Sequence, residues 1–350
     1  MLFSFKYFRS SLSIIIRFAR HGSSRLFLST LVYLIVSGFG TVHPNQNGEI
    51  LGRSNKKGWK NDAPAGMVLV PSGTFLMGGG VNQGVIERTN IIQRKTITQF
   101  YMDETAITNA QYREFISIVR SNPELYGLDE TYIDEKLMPD KNVWKKDFGS
   151  RFMGDELTEN YYDNPIFDNY PVVGITWEAA KEYAKVRSIY KNEYLKKKGL
   201  PLSPSFRLPT AAEWEYAAKG GQEHAQYPWG GPFVRDEQGK LLANFQATKG
   251  NFAECGYTYT SPVKAFPPNS YGLYDMAGNI AEWCEDDYTP LLAQKSCSIN
   301  PVYREDGVAK VIKGGSWKDI SYFLQTGVFD CEHKDKSRSF IGFRCVMPVM

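Results

Sequence analysis

From Tyr227 onward, glycine, proline and tryptophan interrupt the chain every few positions, so no long helix or strand is expected in that half. Such a stretch folds only if large side chains pin its turns. The chain has 31 Gly and 18 Pro beside 21 Tyr, 21 Phe and 7 Trp, and aromatic rings bury enough area to fix irregular backbone. An irregular, loop-heavy fold follows, with only short strands such as Lys310–Lys313 and Phe340–Met347 expected in this half. With 350 residues, 42% apolar and 23% charged, the chain can bury a core and form one large or two small domains. The 41 basic and 38 acidic side chains leave a formal charge of only +3, too weak a field to make nucleic acid the default partner.

Residues 1–40 differ from the rest. Arg17, Arg20 and Arg25 precede an apolar run from Leu26 to Phe39, and the segment has no acidic residue. At about 14 residues the run falls short of the roughly 20 a spanning helix needs. With Ser37, Gly38 and Gly40 behind it, the segment reads as a signal peptide, or as an N-terminal anchor extended by Leu12–Ile16. No other stretch looks able to cross a membrane. A polar linker follows at 41–65, then a domain over 66–350 with a long insertion at about 121–170. All five cysteines (Cys255, Cys284, Cys297, Cys331, Cys345) lie in the last hundred residues and none forms a CxxC pair. An odd number leaves one thiol free or bonded to another molecule.

Local signals set several elements. Met67–Met77 carries two apolar runs around Pro-Ser-Gly and predicts a hairpin, broken by Gly78–Gly80. Thr108-Asn-Ala-Gln111 and Thr210-Ala-Ala-Glu213 fit capping boxes, each ahead of an apolar helical face, and Thr176 opens a further helix. Gly220-Gly221 ends the helix that starts after Thr210.

Common catalytic spacings are absent: there is no phosphate loop, no H-E-x-x-H pair and no G-x-S-x-G elbow. Only His224 and His333 fall in the domain, which excludes a multi-histidine metal centre. Around Gly278-Asn279, Asp275 and Glu282 cluster hard oxygen atoms that suit calcium; a turn with solvated acids is the alternative. Gly314-Gly315 permits close backbone approach or positive φ.

Met67–Gly78, Asp103–Asn109, Pro171–Trp177, Arg207–Tyr216, Tyr271–Trp283, Gly314-Gly-Ser-Trp317 and Gly342-Phe-Arg344 together resemble the formylglycine-generating enzyme (sulfatase-modifying factor) domain, in family order over about residues 66–347. The resemblance implies an α+β, irregular C-type-lectin-like fold. It also implies a copper held by two cysteines after the Gly-Gly-Ser-Trp motif, but Asp319 and Leu324 stand there. Neither offers the soft ligand that Cu(I) favours, so the expectation is a pseudoenzyme without copper, with no catalytic or cofactor-binding residue assigned. The family's structural cysteines are replaced by Ala184 and Ala218, leaving Cys345 without its expected partner. Two structural Ca²⁺ sites carry over, one to Asp275, Gly278, Ile280 and Glu282, the other to Asn244, Phe245 and Tyr257, with Cys255 in place of a carboxylate.

Gly315–Gln325, Tyr227-Pro-Trp-Gly-Gly-Pro232, Pro139–Trp144 and Asn164–Gly174 are similar to a narrower group, the GldK/PorK lipoproteins of gliding motility and type IX secretion. That likeness implies a structural, non-catalytic component of a periplasmic ring associated with the outer membrane, self-assembling and bound to a GldN/PorN-like partner. The chain has no cysteine before Cys255 that could be acylated. Two alternatives stand beside it: a metal-dependent oxidase of the formylglycine-generating type, in which Asp319 joins Glu332 or His333, and a calcium-dependent lectin-like module.

Overall fold

The computed structural model describes residues 63–79, 91–148, 159–248 and 254–349, all within the compact unit that spans Asn47–Met350. The leader 1–40 and most of the linker 41–65 lie outside the described residues. Among the described residues, no helix is long and apolar enough to cross a membrane.

The fold is α+β, as expected. Its strands are Met67–Val70 (β1), Gly73–Met77 (β2), Gln93–Ile97 (β3), Phe100–Asp103 (β4), Ala281–Asp287 (β5), Ala309–Lys313 (β6), Phe329–His333 (β7), Ile341–Gly342 (β8) and Val346–Pro348 (β9). Three long helices, Asn109–Ser121 (α1), Trp177–Lys197 (α2) and Ala211–Lys219 (α3), complete the frame.

Helix starts follow the sequence closely. Thr108 and Thr210 each accept the amide three residues on, while Gln111 and Glu213 accept from the cap's own amide. Thr176 caps α2 through Ala179 N. Gly220 ends α3 at φ +59°, the left-handed conformation that glycine adopts most cheaply.

Strand pairing departs from expectation. β1 and β2 are not a hairpin: β1 pairs antiparallel with β4, and β2 with β3. The Pro-Ser-Gly segment sends β2 into a separate ribbon instead of folding it back. β9 takes the other side of β4, giving the order β1-β4-β9, so strands from the two ends of the domain share one sheet. The second large sheet has the order β7-β6-β5-β8. Phe340–Met347 is not one strand but two short ones, β8 and β9. Buried Phe343, Arg344 and Cys345 leave the ladder between them and enter the core.

One core cluster joins α1 and α2 through Tyr112, Phe115, Tyr183 and Phe343, whose rings lie 5.1–6.4 Å apart in stacked and edge-on pairs. A second packs Trp214 and Ala217 of α3 against Phe75, Met77 and Cys284. The described parts of the segment 121–170 are tied in by rings: Trp144 and Tyr161 pack with Tyr259 and Trp317.

Candidate functional site

The strand β6 runs into Gly314 and Gly315, at φ +94° and +64°. A side chain at either would strike its surroundings: a Cβ on Gly314 would lie 3.0 Å from the Trp214 ring, and on Gly315 2.9 Å from Leu324 and the Phe323 backbone. The double glycine thus lets the chain turn tightly beneath a small cleft of about 20 Å³. Trp317, buried on Trp144 and Tyr259, fixes the next turn, and Lys318, Asp319, Phe323, Asp330 and Phe340 line the opening.

The polar groups of the cleft are held. Asp319 accepts the Ser316 amide at 2.9 Å and the Ser316 hydroxyl at 2.6 Å, and its other oxygen accepts Lys318 Nζ at 2.8 Å. The Lys318 ammonium also sits 4.0 Å from the centre of the Phe340 ring, a favourable cation–π placement. Asp330 faces them from β7. Burial, then the negative charge of Asp319, pushes its carboxyl upward against the opposing Cys331 amide. Asp330 is itself open to solvent, so the cleft presents an accessible carboxyl next to a fixed carboxylate and an ammonium, the group types that exchange protons with a bound substrate.

Beneath the cleft lies a network of buried charges. Arg344 Nε and one terminal amine donate to Glu282 at 2.7 Å each, and Trp214 Nε1 donates to the same carboxylate at 2.8 Å. Arg187 and Asp103 form a second fully buried pair at 2.9 Å. Glu215 takes Lys313 at 3.0 Å and Lys219 at 3.4 Å. Pairing of this quality offsets part of the cost of burying such charges.

The structure sets Gly278, from one of the residue sets assigned to calcium by resemblance, against Asn244 of the other. Asn279 N donates to Asn244 O, and a Cβ at Gly278 (φ +75°) would lie 2.3 Å from that oxygen. Ile280 and Phe245 are buried beside this contact. Asp275 adopts φ +55°, and burial pushes its carboxyl up to about 6 despite the Lys264 amide and Arg344. Two members of the sets are already bonded within the protein. Glu282 is committed to Arg344 and Trp214, while the Cys255 thiol donates to Asn244 Oδ1 at 2.9 Å and to the Tyr257 carbonyl at 3.6 Å. Among the described residues, no group of three His, Cys, Asp or Glu could hold a metal.

The two positions of the family's copper ligands do not suit copper either. Leu324 is sealed in an apolar cluster with Tyr227, Leu241 and Phe245, and Asp319 is bonded as above. Cys345 is a free, buried thiol in the same cluster as Ala184. Glu332 pairs with Arg338 at 2.5 Å, and His333 lies near Asp335. Lys318 and Asp330 were not singled out from the sequence. The signal available for Asp330 is its two-residue spacing from Glu332, which puts both on one face of β7.

Known proteins bear on this site. The family model described as the sulfatase-modifying factor enzyme 1-like domain matches residues 54–349. A formylglycine-generating enzyme of Thermomonospora curvata is 31% identical over 304 residues, covering 80% of this chain and 92% of that protein. A Bos taurus relative named inactive C-alpha-formylglycine-generating enzyme 2 is 28% identical, covering 81% and 89%. The solved structure of PvdO from Pseudomonas aeruginosa superposes with a TM-score of 0.56 at 22% identity, covering 81% of this chain and 94% of that one, a likeness of fold. These relatives overturn the expectation that the chain is not an enzyme. Replacing two thiols removes one metal chemistry, whereas named enzymes match the sequence along most of its length. A family-model match over residues 54–349 places the chain in the sulfatase-modifying factor enzyme 1-like family.

Proposed function

We propose that the chain is an enzyme of the sulfatase-modifying factor type that oxidises a side chain on a polypeptide client, with the cleft of Lys318, Asp319 and Asp330 as its reaction centre. The observation that carries this reading is the 31% identity to a formylglycine-generating enzyme over 80% of the chain. The cleft supplies acid–base groups for such a reaction: the Asp330 carboxyl is shifted upward from its ordinary value, and Asp319 fixes Lys318 beside it. The redox component has to come from outside the donor set described above.

The test is direct. Purified protein is given a cysteine-bearing peptide and dioxygen, without added metal and then with copper or iron, and the peptide is scored by mass for aldehyde. The expected result is conversion that Asp319→Ala abolishes; no conversion under any condition overturns the reading.

A second reading draws on the likeness to the GldK/PorK group: a component of a periplasmic secretion or gliding ring at the outer membrane, self-assembled and bound to a GldN/PorN-like partner. The loop that carries this likeness favours it. Tyr227 and Trp229 stack at 5.0 Å, and the neighbouring Phe233 is 74% exposed, a rigid aromatic knob of the kind partners bury. Co-purification of a large ring from the native membrane fraction supports it, and a monomer there removes it.

A further inference from the structure

A cavity of about 260 Å³ shares no residue with the cleft at Asp319. One wall is a face of α2, where Lys181, Ala184, Lys185, Ser188 and Ile189 recur at helical spacing; the other is the segment Ser205–Leu208. Both walls are fixed. Phe206 N donates to Ser188 Oγ at 2.8 Å, Asn192 holds Ser203 through its amide at 2.8 Å, and Arg207 exchanges backbone hydrogen bonds with Val346. The Arg187 guanidinium supports the Phe206 ring from 4.2 Å.

The lining is asymmetric in charge. Its apolar floor comprises Ala184, Ile189, Phe206 and Leu208, and its charged members are Lys181, Lys185 and Arg207, with no carboxylate among them. Their counter-ions, Glu285, Glu182 and Glu213, stand outside the lining. The Lys181 and Lys185 side chains are 44% and 55% exposed. The Glu285 and Glu182 side chains are only 7% and 14% exposed, but Glu285 keeps Arg304 at 3.0 Å when Lys181 turns to the cavity mouth, and Lys185–Glu182 is an i,i+3 helix pair of the kind that holds little energy. The volume lies just below the range of clefts that enclose drug-sized ligands.

We propose that this cavity binds a small amphipathic anion: a carboxylate on a short acyl chain, its tail against Phe206 and Leu208 and its head between Lys181 and Lys185, while Arg207 stays bound to Glu213 through both terminal nitrogens. The site is independent of the oxidase reading. Titration calorimetry on the full chain tests it with octanoate, octan-1-ol and octylamine as probes. The expected order is octanoate at least about tenfold tighter than octanol, no heat with octylamine, and weakening of octanoate as salt rises. Lys185→Glu, at an exposed position, should weaken octanoate at least about tenfold, and Ala184→Phe should abolish binding by filling the floor. If Ala184→Phe does not fold, Lys185→Glu decides alone. Equal affinity for octanoate and octanol, no octanoate heat, or an unchanged Lys185→Glu variant would each overturn the proposal.

Discussion

Arg344 shows why single residues here carry consequences far from their place in the chain. Its guanidinium is fully buried and bonds Glu282, the carbonyl of Asp103 and the carbonyl of Tyr274, so it ties three separate segments together. Replacing it with methionine leaves Glu282 charged with only Trp214 as a donor. The expected loss is about 3–5 kcal/mol, read by urea denaturation. Asp286 gives a pH dependence. It is buried, accepts the amides of Ala211 and Tyr303, and its carboxyl is pushed up to about 7 by burial and by the nearby Glu213 and Glu285. The folded state therefore holds this proton more tightly than the unfolded chain. Its contribution is complete below the unfolded value near 3.8 and is lost as pH rises to about 7. Melting temperatures from pH 4 to 8 should fall more steeply for the native protein than for Asp286→Asn. Gly342-Phe-Arg344 was recognisable in the sequence as a motif, but the partners of Arg344 were not, because pairing across 62 to 241 positions leaves no local pattern.

Among elements, what the sequence showed was whatever depends on neighbours within about four residues. The boxes at Thr108 and Thr210 could be read because cap and partner sit three positions apart. The β1–β2 hairpin was misplaced because strand partners are chosen by the core, and β1 found β4 more than thirty positions on. Thr210→Ala should cost about 1 kcal/mol or more, since it frees the Glu213 amide while Glu213 also anchors Arg207. Circular dichroism during denaturation would measure it. Gly278 presents the opposite case, a site where adding one carbon is severe. Its positive φ and the 2.3 Å approach to Asn244 O predict that Gly278→Ala destabilises more than Thr210→Ala does. Of the candidate cleft, Asp319 was noticed because a family motif located it, whereas Asp330 and Lys318 depended on a fold that brings β7 beside the turn after Trp317.

At the scale of the whole molecule, the turn-rich composition correctly indicated an irregular α+β body, yet it could not show that its two ends close one sheet. β9 pairs residues 346–348 with 100–102. A chain ending after Cys345 should therefore lose cooperative unfolding, visible as a broadened thermal transition. The shared sheet has one more implication. β1 and β9 flank β4, so Met67 and Pro348 lie two strand spacings apart, about 10 Å, plus the length of a short strand. A linker of about six residues, with a reach of roughly 20 Å, could join them, and new termini could be cut in the exposed loop at 236–240. The domain should thus tolerate circular permutation, its fold indifferent to where the polypeptide is opened.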